Sequence, residues 1–188
     1  MNHTATATAP APAGFLSRLL GGLFSRRADP REALRPLWHG VVASARRPDW
    51  YTSCGIADSL PGRFDAITLV LALVLLRLET EAGQTEAGVR LTELFVEDMD
   101  GQLREAGVGD LVVGKHIGRL MSVLGGRLGA YRAGLAEADD AELHAALTRN
   151  VTLTEGSAPQ ALAAATRQLA TALAALPAER LLAGEMPA

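Results

Sequence analysis

The chain has 188 residues, with 18 Lys and Arg against 21 Asp and Glu, a formal net charge of −3 and a single cysteine. That length suits one domain with a flexible end, and a lone thiol excludes an internal disulfide framework or a cysteine-built metal centre within one chain. The mild acidity and the 4% aromatic content argue against a DNA-binding protein or a stacking platform for single strands.

Charge is divided unevenly along the chain. The first 50 residues hold seven Arg and three acids, whereas the rest holds eleven bases and eighteen acids. A basic head on an acidic body points to an anionic contact, with lipid or RNA as candidates, or else to solvated arginines. Residues 1–14 are mostly Ala, Thr and Pro, too poor in apolar bulk to fold, and are expected to be a disordered tail.

Residues 15–27 form the next unit. At 100° per residue, Phe15, Leu16, Leu19, Leu20, Leu23 and Phe24 fall on one half of a helical wheel, with Arg18 opposite and Arg26 and Arg27 as a basic flank. The pattern is that of a basic amphipathic helix, whose apolar side can enter a membrane interface while its arginines meet anionic headgroups. Two other readings stand beside it: docking on the domain's own core, and an import presequence, since residues 1–27 carry no acid.

The helical domain is expected over residues 28–176. Asp29-Pro30 opens a helix, with Asp29 as cap and Glu32 near the positive end of the dipole. Leu34, Leu37, Trp38, Val41, Val42 and Ala45 then form one core-facing stripe, and Arg46-Arg47-Pro48 ends it. Residues 49–63 are turn-rich, with one helical turn around Trp50. Residues 64–81 read as the central helix: from Ile67 to Leu76 every position but Thr68 is apolar, the mark of a helix covered on all sides. Thr85 to Ala106 is amphipathic, with Leu91, Leu94, Phe95, Met99 and Leu103 inward. From Asp110 to Ala136 the pattern buries Ile117, Leu120, Met121, Leu124, Leu128, Tyr131 and Leu135. Asp139 and Asp140 cap a short helix to Arg149. Residues 150–154 break it, Ser157 caps an Ala-rich helix to Leu176, and residues 177–188 are expected to fray. The fold class is therefore all-α, a single irregular bundle of six or seven helices.

Catalytic signatures are missing. The chain has no P-loop, dinucleotide glycine fingerprint or nucleophile elbow. Glu97, Asp98 and Asp100 suit a structural carboxylate network, with Asp100 and Arg104 spaced to pair. Cys54 reads as a small buried apolar residue, and His116 and His144 as polar-face helix residues. No enzyme activity, metal or cofactor is expected.

One feature is unusual for a core helix. Gly114, Gly118, Ser122, Gly125 and Gly129 share a narrow arc of the helix that begins at Asp110. Interior helical glycines cost about 0.8–1 kcal/mol each relative to Ala, so some close packing should recover that cost. Either the apolar helix 64–81 packs there, or the track receives a helix of a client protein, as small-residue faces do between membrane helices.

The run from Tyr51 to Tyr131 resembles the ubiquinol–cytochrome c chaperone family, the assembly factors for ubiquinol–cytochrome c reductase. The residues that carry it are Tyr51, Gly55 and Asp58, then Gly62-Arg63-Phe64-Asp65, Arg77-Leu78, and Phe95 with Asp98-Met99-Asp100. Leu103-Arg104-Glu105 with Gly107-Val108-Gly109-Asp110-Leu111, Val113-Gly114-Lys115, and Gly126-Arg127 with Ala130-Tyr131 complete it. The resemblance implies an all-helical, non-enzymatic assembly chaperone that binds newly made cytochrome b or a related membrane subunit. It further implies a possible small assembly partner or ribosome surface, and a cytoplasmic location, peripheral at the inner face of a bacterial inner membrane. The mitochondrial matrix is the alternative if residues 1–27 are a presequence. A helical adaptor that docks on membrane or ribosome, with no respiratory client, is the second functional reading. Among the matched polar residues, Tyr51, Asp58, Arg63, Asp65, Arg77 and Asp110 are expected in a structural network. Asp98, Arg104, Lys115, Arg127 and Tyr131, with Gly114, Gly118, Gly125 and Gly129, are expected to touch the client or partner.

Overall fold

The structure, a computed structural model, describes residues 29–105 and 110–187, leaving aside the side chains of residues 103, 104 and 110–116. Seven helices longer than one turn lie among them: α1 Arg35–Ala45, α2 Leu60–Glu79, α3 Thr85–Glu105, α4 Asp110–Ala136, α5 Ala141–Asn150, α6 Gln160–Ala175 and α7 Ala178–Leu182. No strand forms among the described residues, where a single antiparallel bridge pairs Ile56 with Leu153. The architecture is an all-α bundle around α2.

The reason for the centre lies in the sequence of α2. Every residue from Ala66 to Leu75 is buried. The helix packs against α1, α3, α4 and α6, which together cover its circumference. It starts earlier than the apolar run suggests. The Ser59 hydroxyl accepts a hydrogen bond from the Gly62 amide at 3.2 Å, and Pro61 sits in the first turn, the ordinary signature of a helix start. Gly62 is required there for space: a Cβ would stand 1.9 Å from the Ala57 carbonyl oxygen.

Other boundaries shift for similar local reasons. Asp29 does not open α1 directly. A 3₁₀ turn, Glu32–Leu34, intervenes, and the Asp29 carboxylate accepts from the Arg31 amide and guanidinium. The C-terminus of α1 is closed by two aromatic side chains of the following turn, Asp49–Thr52. Trp50 Nε1 donates to the Ser44 carbonyl and Tyr51 Oη to the Ala45 carbonyl, each at 2.9 Å. Orphan carbonyls at a helix end thereby find donors. Ser157 does not cap α6, which begins at Gln160 after Pro159.

The segment expected to fray does not. After Pro177 the chain folds into α7, buries Leu181 completely, and packs on α1. The close approach is made by glycines, since a Cβ on Gly184 would lie 2.6 Å from the Pro36 carbonyl oxygen. Residues 1–28, including the tail 1–14 and the basic segment, lie outside the described residues. No described helix is long and apolar enough to cross a membrane.

Candidate functional site

Two features stand out from the packed core: a buried ionic node and an open apolar groove. The node joins two of the matched sequence blocks. Arg127, on α4, reaches α2, where its guanidinium donates to Asp65 Oδ1 at 2.5 Å and to the Thr68 hydroxyl. The other carboxylate oxygen of Asp65 accepts from the Thr152 amide at 2.8 Å and hydroxyl at 2.7 Å. Arg127 also stands over the Phe64 ring, 5.7 Å from its centroid, a favourable place for a cation. Arg127 is 7% exposed and Asp65 6%. Buried charges are retained when paired and hydrogen-bonded, and here α2, α4 and the α5–α6 connection are held by one carboxylate. Beside the pair lies Tyr131, fully buried, with its phenol pushed well above the ordinary range by burial. Its hydroxyl, like Arg127 Nε, finds no hydrogen-bond partner among the described residues.

The groove runs between α2, α3 and α4 and has a volume of about 930 Å³. Leu75 and Leu78 belong to α2, Val89 and Val96 to α3, and Met121 and Leu128 to α4. Val89 and Met121 are 55% and 40% exposed, against the burial that periodicity predicts for Met121. Among the described residues, the apolar stripe of α4 is fully buried only from Leu124 on. Before it, Ile117 and Met121 border the groove, while Leu120 between them is half-buried against the core. Beside this lip lie Gly118, Gly125 and Gly129. A Cβ added at any of them would meet nothing within 4 Å. These three glycines of the arc therefore face open space, not α2. Acid collects along the groove as Glu79, Glu93, Glu97 and Asp100, with Arg31 on the opposite sign. Arg31 pairs with Asp29 at 2.6 Å and with Glu97 at 3.0 Å.

The remaining matched residues are spread over the molecule. Tyr51 caps α1, as described. Asp58 and Arg63 form an exposed ion pair at 2.7 Å. Arg77 donates to the carbonyls of Leu173 and Leu176 at the end of α6 and pairs with Glu81 at 2.7 Å. Asp98 is half-buried, accepts from the Gln102 side-chain amide at 3.4 Å, and borders a second, smaller hollow with Arg35 and His39. The side chains of Arg104, Asp110 and Lys115, and the surroundings of Gly114, lie outside the described residues. So do Phe15, Leu16, Arg18, Leu19, Leu20, Leu23, Phe24, Arg26 and Arg27. Arg127 and Tyr131, expected at a client surface, sit in the interior, where they meet Asp65 and not solvent. The glycines and these two side chains, which share one helix, therefore face different ways.

Thr68, Thr152 and Arg167 escape a reading of the sequence alone. Thr68 leaves a trace, as the lone polar residue in the apolar run of α2. Thr152 leaves none, because its role depends on a chain reversal 87 positions from Asp65. Arg167 donates to the carbonyls of Gly134, Glu137 and Asp139 and pairs with Asp140. It thereby closes the α4–α5 connection, a cation at a helix C-terminus.

Comparison with known proteins joins these features to a lineage. The chain resembles the crystal structure of the Cbp3 homolog from Brucella abortus, with 32% identity and a TM-score of 0.72 over 89% of this chain and 94% of that one. No curated protein matches. The sequence model of the ubiquinol-cytochrome C chaperone family matches residues 52–188, which include the node, α7 and all of the groove's lining but Arg31. The chain belongs to the ubiquinol–cytochrome c chaperone family.

Proposed function

We propose that the protein holds an apolar helix of newly made cytochrome b, or of a related membrane subunit, in the groove between α2, α3 and α4 while ubiquinol–cytochrome c reductase is assembled. The observation that carries this reading is the groove itself. It is about 930 Å³, walled by aliphatic side chains, and bordered by exposed Val89 and Met121. Exposed apolar surface of this kind marks a binding site more often than an accident of packing. The adjoining glycines add a lip without side chains, against which another backbone can lie closely. Nothing in this mechanism needs a reaction. The groove shields apolar surface from water until the client meets its own partners, and it acts at the inner face of the membrane that receives the client.

The test is a reduced-minus-oxidised spectrum of membranes from a strain lacking the gene, restored with wild type or with Val89→Glu/Met121→Glu. Both side chains are exposed, so the double variant should fold normally. Wild type should restore the b-type signal and antimycin-sensitive turnover, and the double variant should not. Unchanged spectra in the deletion strain favour the adaptor reading, for which the basic head is the supporting observation. A small assembly partner or a ribosome surface would meet a face other than the groove.

A further inference from the structure

We infer that residues 15–27 of the same chain occupy the groove when no client is present, so that the protein guards its own apolar site. The inference rests on the reading of the groove as the client site. Four observations support it. The first is origin: Arg31 lines the groove, and the described chain begins two residues earlier at Asp29, which pairs with Arg31. The second is reach. Asp29 is five positions on from Phe24, up to roughly 17 Å of extended chain, so the segment is tethered where it would bind. The third is size. As a helix, the ten residues Phe15 to Phe24 would be about 15 Å long and 10–12 Å wide, and half-sunk would displace roughly 600–850 Å³. The groove offers about 930 Å³.

The fourth is apolar complementarity. Phe15, Leu16, Leu19, Leu20, Leu23 and Phe24 supply one apolar side, matching the aliphatic walls. Arg18, Arg26 and Arg27, with no acid among residues 15–27, would meet a rim whose Glu79 already pairs with Arg132 and whose Glu97 already pairs with Arg31 and Arg35, so charge adds little and the apolar match carries the argument. A short tether raises the effective concentration of such a segment to the millimolar range. A weak docked helix is thus enough to keep the groove covered, and a client helix that binds better displaces it by mass action.

The experiment uses the full-length chain with buried Cys54 changed to Ser. Cysteines are placed as Leu20→Cys with Val89→Cys, and mild oxidation is followed by mass and gel mobility. An intramolecular disulfide is expected in a yield about tenfold above that of the control Leu20→Cys with Arg149→Cys on α5, as effective concentration dictates. Adding Leu16→Asp and Leu23→Asp should bring it down to the control. Equal yields for the two pairs overturn the inference. So does a segment that fails to cross-link yet carries the protein onto vesicles containing anionic lipid, which assigns it to the membrane. Failure here is separable from failure of the groove reading. If cross-linking is at the control level while Val89→Glu/Met121→Glu still abolishes the b-type signal, the client site stands and self-docking falls. If the disulfide forms and that double variant restores the signal, the segment docks but the groove is not the client site.

Discussion

Arg127 and Asp65 hold opposite charges out of water on facing helices, and the cost of separating them is large. Removing one partner of a buried pair leaves the other charge without compensation and costs about 3–5 kcal/mol. Arg127→Met should therefore lower the unfolding free energy by about that amount in urea denaturation. Asp65→Asn/Arg127→Met, which leaves no buried charge, should recover part of the loss. A single variant with unchanged stability would show that the pair is dispensable. A second residue prediction concerns Asp29, whose carboxyl is held down from 3.8 to about 2 chiefly by its hydrogen bond to the Arg31 side chain. The depressed value means that this contact stabilises the fold above the unfolded value of 3.8 and is lost as pH falls through about 2. Carboxyl NMR should find the Asp29 midpoint near 2, and Arg31→Gln should return it toward 3.8. At this scale the sequence is partly legible. Asp65 reads as structural because it sits at the start of an apolar helix that would not otherwise admit it. Its partner cannot be read, since 62 positions separate Arg127 from Asp65 and only the crossing of α2 and α4 brings them together. Arg127 consequently reads as a surface contact although it lies inside.

At the scale of the element, the glycines of α4 separate stability from use. Gly118, Gly125 and Gly129 lie within a helix, and none of them has a neighbour that a methyl group would strike. A helix interior prefers Ala to Gly by about 0.8–1 kcal/mol, so Gly125→Ala should raise stability by about that amount. If the lip contacts a client backbone, Gly125→Leu should leave a folded protein that restores less b-type signal in the deletion strain. A destabilised Gly125→Ala would instead show that the glycine is packed. The periodicity of α4 locates both faces but does not rank them. Seven apolar positions lie on one stripe, yet Ile117 and Met121 line a groove while Leu124 and Tyr131 enter the core. Periodicity reports which residues avoid water, and a binding groove and a core meet that condition equally. The apolar run of α2 is legible for the opposite reason, because a helix without a polar face admits only a central position.

At the scale of the whole molecule, the domain closes on itself through its last residues. A run such as Pro177-Ala178-Glu179-Arg180-Leu181-Leu182, short and bounded by proline and glycine, carries too little pattern to distinguish a docked helix from a loose end. What fixes it is tertiary. Leu181 is fully buried, Gly184 adopts φ +92° and passes under Pro36, and Met186 packs close to Gly40 on α1. α7 therefore packs on α1, which also packs on α3, and the lead into α1 carries Arg31 to Glu97 on α3. Deleting a buried leucine side chain down to Ala costs about 2–5 kcal/mol, the upper values where the site cannot collapse. Leu181→Ala should fall within that range in denaturant unfolding, with the m-value unchanged, and should speed amide exchange in α1 before it does so in α5. Leu182→Ala, at a half-buried position next to it, should cost less. Equal and negligible effects at both positions would mean that the C-terminal turn rests on α1 without supporting it. A loss confined to Leu181 would make the last ten residues part of the scaffold that holds the groove open.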